Sequence, residues 1–159
     1  MTIEITNQQK HLPVPRTQIA QIKRIVQKIL RHEGVSRAVL SIVFVSDPQI
    51  RSLNKKFLKR FYATDVLAFD LSAKGGPASG GGDGKRVFLR PKTLEGEIVI
   101  SMGAAIRNAK IFKTSPQREM TLYIIHGILH LLGYDDHRPV DIRRMRAKEM
   151  KLMKLVEKK

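Results

Sequence analysis

The sequence predicts an α+β fold, a small mixed β-sheet packed against several helices. Three observations carry this. Apolar β-branched runs alternate with helical periodicity through the first two thirds of the chain, and only helical periodicity follows. The chain has 159 residues, the length of one domain spanning 1–159, and 42% of them are apolar, enough for a core of its own. It has no cysteine. That removes disulfides, thiolate metal sites, iron–sulfur clusters and a cysteine nucleophile together, and suits a reducing compartment.

Residues 2–6 read as a short strand with Ile3 and Ile5 on one face. Pro13 and Pro15 then interrupt the chain. A helix is expected over 17–33, because Ile19, Ile22, Val26, Ile29 and Leu30 keep helical spacing and Gly34 stands where a C-terminal cap belongs. Residues 39–45 form a β-branched run without clean alternation, the pattern of a strand covered on both faces. Asp47-Pro48 supplies an N-cap and a proline for the first helical position. The helix it opens carries Ile50, Leu53 and Phe57 on one side. Further strands are expected at 66–71 and 98–100. Helices follow at about 103–112 and, beyond Ser115-Pro116, as far as Leu132, where Gly133 stops the second. The last helix begins near Pro139 or Val140 and turns Ile142, Met145, Leu152, Met153 and Val156 inward.

Six of the ten residues in 75–84 are glycine. A phosphate-binding loop fails here on spacing, since Ser79 and Arg86 stand where that motif needs glycine and a hydroxyl residue. Val87-Phe88-Leu89 then reads as strand, not helix, so a flexible surface insertion is the expectation.

Thirty lysines and arginines against fourteen acids leave a net charge of +16, which argues for a polyanionic partner such as nucleic acid or an anionic membrane. The membrane reading weakens: no stretch approaches the ~18 consecutive apolar residues of a spanning helix. The first ten residues lack the basic start and apolar core of a signal peptide, so a cytoplasmic location is expected. The last helix gathers Arg138, Arg143, Arg144, Arg146, Lys148, Lys151, Lys154, Lys158 and Lys159 against Asp141, Glu149 and Glu157. Such a face suits capture of a phosphate backbone, with Arg143, Arg144 and Arg146 as candidate contacts. No aromatic or finger-type reading motif accompanies it, so neither base-specific recognition nor DNA specificity is expected.

Three of the five histidines fall within twelve residues, in His126-Gly127-Ile128-Leu129-His130-Leu131-Leu132-Gly133-Tyr134-Asp135-Asp136-His137. His126 and His130 are four apart on an expected helix, so their imidazoles project from one face, a turn apart. The rest of that helix is nearly all apolar (Leu122, Ile124, Ile125, Ile128, Leu129), and imidazoles in such surroundings need a partner. Gly133 lets the chain turn back so that His137 can approach the same point. Three imidazoles with an open fourth position are the composition of a catalytic zinc site, whose metal lowers the pKa of a water to ~7. A peptidase of zincin type would place a glutamate beside the first histidine as general base; Gly127 occupies that position.

The histidine block closely resembles the signature of the YbeY endoribonuclease family, bacterial rRNA maturation factors with a zincin-like metal-binding helix. Leu53-Asn54, Thr64-Asp65-Val66-Leu67-Ala68-Phe69 and Gly96-Glu97-Ile98-Val99-Ile100-Ser101 resemble that family's other blocks in order and spacing, so the likeness runs from about residue 3 to 149. It implies a single-strand-preferring endoribonuclease with one Zn²⁺ per chain. The implied role is 3′-end maturation of small-subunit (16S) rRNA and ribosome quality control, with single-stranded RNA and the small subunit as partners. Three departures stand out. Leu58 occupies a position where the family commonly has an arginine, the glycine-rich insertion is longer, and Asp135-Asp136 adds a residue before the last histidine.

The resulting expectation is a metal held by His126, His130 and His137, hydrolysing RNA phosphodiesters. Metal-borne water and the substrate's own 2′-hydroxyl are both open as nucleophile. Asp135 or Asp136 would orient an imidazole from outside. Asp136 is the alternative third ligand, because counting without a bulge puts it in the family's last-histidine position; the turn absorbs an extra residue easily, which favours His137. The rival reading is an rRNA- or ribosome-binding assembly factor with a structural zinc and little nuclease activity.

Overall fold

The computed structural model describes residues 1–59, 64–72, 76–77 and 93–158. In chain order it has β1 (Thr2–Asn7), α1 (Arg16–His32), β2 (Arg37–Val45), α2 (Asp47–Leu58), β3 (Val66–Asp70), β4 (Gly76–Pro77), β5 (Thr93–Ser101), α3 (Met102–Phe112), α4 (Pro116–Leu131) and α5 (Pro139–Glu157). The strands form one mixed sheet in the order β1-β2-β5-β3-β4. β1, β2 and β5 run parallel, and β3 is antiparallel to both its neighbours. This is the expected α+β architecture.

One face of the sheet carries the main core. Ile3, Leu40, Ile42, Phe44, Ile98 and Ile100 pack there against Ile29 and Leu30 of α1, Met102 of α3, Ile125 and Ile128 of α4, and Leu152 of α5. Each such side chain, fully removed from water, contributes about 1.5–3 kcal/mol. The other face is covered by α2 only around Val43, Val45, Leu67 and Val99, where Ile50 is buried. The expectation that 39–45 is covered on both faces is therefore corrected. Burial alternates along β2 and Val39 is 55% exposed, because α2 ends its cover before reaching it. Phe57, expected on the packed side of α2, is half-exposed and meets Phe69 edge-on at 5.3 Å between ring centroids.

Two other expectations change. Ser46, not Asp47, precedes α2: its backbone N–H and its hydroxyl donate to Gln49 Oε1 at 2.8 and 3.0 Å. Asp47 is the first helical residue, and its carboxylate accepts from Ser101 Oγ at 2.6 Å and pairs with Arg107, tying α2 to the start of α3. β5 begins at Thr93, five residues before the expected strand, where Gly96 and two glutamates hide the alternation. A Cβ on Gly96 would lie 2.8 Å from both Leu131 methyl carbons, so glycine lets the end of α4 settle on the sheet. Within the glycine-rich segment, Gly76–Pro77 pair with Phe69–Asp70. The rest of 75–84, and Arg86 to Leu89, lie outside the described residues.

α4 is the element that builds the site. Ser115 Oγ accepts from the Arg118 N–H at 3.2 Å and Pro116 opens the helix, as the sequence suggests. At its other end Gly133 has φ +94°, the left-handed region glycine tolerates. The Gly133 N–H donates to His130 O and the Tyr134 N–H to Leu129 O, both at 2.9 Å, closing a Schellman turn. A Cβ at Gly127 would stand 2.6 Å from Ile98 Cγ2. The position where a zincin peptidase carries its glutamate thus faces the sheet, with no room for a side chain.

Candidate metal centre

His126 and His130 lie one turn apart on α4, as their spacing requires, with their Nε2 atoms 2.9 Å from each other. Each ring is fixed from behind. The His126 Nδ1–H donates to Glu149 Oε1 of α5 at 2.5 Å, and the His130 Nδ1–H donates to the Tyr134 carbonyl at 3.0 Å. The Schellman turn that ends α4 is what delivers that carbonyl. With Nδ1 of each ring engaged, the two Nε2 atoms point at one place, where a bound metal would take the position of their protons.

The third group at that point is Asp136. Its Oδ2 lies 3.5 Å from each Nε2, and the three donor atoms fall within 4.8 Å of one another. His137, the favoured third ligand on sequence grounds, lines the same cavity but is not in this group: its Nδ1 bonds Asp135 Oδ1 and stands 3.9 Å from Asp136 Oδ1. Asp135 and His137 meet each other in this turn, and Asp136 turns to the two histidines of α4.

The centre opens onto a cavity of about 460 Å³, whose wall includes Asn54 and Leu58 of α2, Thr64 and Asp65 before β3, Tyr123 of α4, and Met145 and Arg146 of α5. Burial works against a charge on His126, but the carboxylates of Asp136 and Glu149 outweigh it and lift the imidazole to about 9. Hydrogen bonds from the two histidines hold Asp136 well below the usual carboxylate range. Burial pushes Asp65 upward against the pull of Arg107 and His126. Burial also raises Tyr123 to about 12, although its hydroxyl accepts from Asn108 Nδ2 at 2.6 Å. Two imidazole nitrogens and one carboxylate oxygen beside open space are a donor set that fits a divalent metal of the zinc type with a position left for solvent or substrate.

Of the three arginines proposed for backbone capture, only Arg146 lines the cavity; Arg143 and Arg144 are exposed on other sides of α5. Leu58, in the position where an arginine is common, also forms part of the wall. In the sequence Glu149 reads only as one acid in a basic helix. Its signal is register: with Ile142, Met145 and Leu152 it keeps the inward spacing of α5. Among the described residues no helix is long and apolar enough to cross a membrane.

Comparison with known proteins adds four findings. The family model described as Endoribonuclease YbeY matches residues 4–157. The endoribonuclease YbeY of Syntrophus aciditrophicus is 35% identical over 158 residues, 98% of this chain and 90% of that protein. The one from Pelotomaculum thermopropionicum is 34% identical over 154 residues, covering 96% and 95%. The solution structure of TM1509 from Thermotoga maritima has a similar fold, with a TM-score of 0.59 at 23% identity over 98% of this chain and 89% of that one.

Proposed function

The chain belongs to the endoribonuclease YbeY family, and from that premise we propose that it cleaves single-stranded RNA at a zinc centre formed by His126, His130 and Asp136. Its place is the cytoplasm, in 3′-end maturation of small-subunit (16S) rRNA and quality control of the small subunit. The observation that supports the chemistry best is the convergence of two fixed Nε2 atoms and one carboxylate oxygen on an open cavity. A closed structural site would leave no such space.

Bound zinc supplies Lewis-acid polarisation of a phosphate oxygen and a water acidified toward neutral pH. The chain's own residues do the rest. Glu149 and the Tyr134 carbonyl engage Nδ1 of His126 and His130 and so aim each Nε2 at the place a metal would take. Asp136 adds one negative charge and completes the donor set. His137, held by Asp135 at the cavity rim, stands beside the centre as a group able to take or give a proton. The basic surface of α5 holds the strand without reading its sequence.

The test is metal analysis of the purified protein together with cleavage of a single-stranded RNA, before and after treatment with a chelator. About one zinc per chain and cleavage that stops with its removal are expected. Equal cleavage by the metal-free protein would overturn the metal mechanism, and a zinc-loaded protein that binds RNA without cutting it would turn the reading into that of an assembly factor.

A further inference from the structure

The wall of the cavity has an unusual charge balance. It carries three carboxylates, Asp65, Asp136 and Glu149, and among the described residues that line it Arg146 is the only lysine or arginine. A phosphodiester entering such a cavity meets repulsion from those acids, which the metal offsets at one point only. In a chain of +16 the presence of one such cation among the described lining residues is the more informative.

Arg146 is placed to supply what is missing. It follows Met145 on α5 and lies one helical turn before Glu149, which touches His126, so its side chain stands over the same opening. Most other arginines with a role in this part of the molecule are already paired: Arg107 with Asp47, Arg118 with Glu157, Arg138 with Asp141. Lys148, two residues on, is paired with Glu33 at 2.9 Å. Arg146 has no ion pair among the described residues. A guanidinium without a carboxylate, at the mouth of an acid-lined cavity, is matched to the planar pair of non-bridging oxygens on a phosphate.

Resting on the nuclease reading above, we propose that Arg146 is a catalytic residue that binds the scissile phosphate and stabilises the charge developing on it, distinct from Arg143 and Arg144, which hold the flanking strand. Charge on the phosphate grows as the phosphorane forms, so a guanidinium on a non-bridging oxygen acts more strongly there than in the ground state.

The experiment compares Arg146→Ala, Arg146→Lys and the double variant Arg143→Ala/Arg144→Ala in the zinc-loaded full chain. Steady-state cleavage of a single-stranded RNA is measured across salt concentrations, and inorganic phosphate is titrated calorimetrically into each protein. Arg146→Ala is expected to lose about 10²-fold in kcat, with KM and salt slope little changed, and to recover activity when guanidinium is added but not sodium at equal ionic strength. Arg146→Lys is expected to fall between, since an ammonium does not reproduce the planar fork. The double variant should raise KM and flatten the salt dependence. If Arg146→Ala changes only KM, in the manner of the double variant, or if guanidinium restores nothing, the assignment is overturned. Should the wild-type chain fail to cut RNA, the nuclease reading fails by itself; loss of phosphate binding in Arg146→Ala would still support the anion site, and unchanged phosphate binding would end it.

Discussion

The candidate metal centre is assembled from two arms of different make. One is a helix: His126 and His130 sit on α4, 23% and 4% exposed at the side chain, each backed by a partner on Nδ1. The other is a turn: Asp135, Asp136 and His137 follow the Schellman cap with 47%, 36% and 42% of their side chains exposed. In a helix, spacing alone fixes direction, because four residues return the chain to the same face. In a turn no such period fixes direction, and one added residue is enough to exchange ligand for neighbour. The two arms therefore differ both in how rigidly they hold a donor and in how readily a reader of the sequence finds it.

The largest effect is expected on the helix arm. His126→Ala or His130→Gln should reduce bound metal from about one per chain to a trace and bring RNA cleavage down to the level of the chelator-treated enzyme. Metal analysis and a cleavage assay on the same preparations check this, with circular dichroism to show that the fold persists. Stoichiometric metal in both variants would dissolve the distinction between the arms by removing the centre itself.

The sharpest test of the turn arm is Asp136→Ala beside His137→Ala. With Oδ2 of Asp136 at 3.5 Å from both imidazoles and His137 engaged by Asp135, the aspartate variant should lose far more zinc affinity. His137→Ala should keep its metal and show a smaller loss, in the rate. Competition against a chromogenic chelator reads both affinities. A large loss confined to His137→Ala would restore the three-histidine set and show that the turn repacks around the ion.

How much of this was legible follows the same division. The helix over 17–33, its glycine stop at Gly34, the histidine pair and the stop at Gly133 rest on i, i+4 spacing and a positive φ, which are local, and the structure has them. Asp136, Val39 and the start of β5 depend on what lies opposite, which no local pattern encodes. Val39 looks like its buried neighbours and is exposed because α2 does not reach it. Glu149 lies 23 residues beyond His126 and contacts it only because α5 packs on α4.

Glu149→Gln separates positioning from ligation within the helix arm. The amide oxygen can still accept from Nδ1, but without charge it no longer makes the imidazole a stronger donor. Metal affinity should fall about 10–100-fold, the usual cost of losing such a partner, while the protein still binds one metal at saturating concentration. An unchanged affinity would mean that helix geometry alone holds His126.

The smallest effect is expected at the far end of the turn arm, where Asp141 accepts from Arg138 Nε at 2.6 Å and from Nη2 at 3.2 Å. This pair anchors the segment that follows Asp136 to the first turn of α5. The Arg138 guanidinium holds the Asp141 carboxyl below the usual carboxylate range. A carboxylate whose folded-state pKa is depressed stabilises the fold while it is ionised. Its contribution is full above the ordinary value near ~4 and is lost as pH falls through the depressed one. Asp141→Asn should thus lower Tm slightly at neutral pH, and the difference from wild type should shrink as the pH is taken below that of an ordinary carboxylate. Because Arg138 is 71% exposed, salt should also weaken the effect. Zinc affinity should drop less than in Glu149→Gln, since the tether acts through the backbone and not on a ligand atom. If Asp141→Asn instead costs as much zinc as Asp136→Ala, the turn is held from α5 rather than by the cap at Gly133, and the contrast between a rigid helix arm and a loosely held turn arm would have to be drawn at α5.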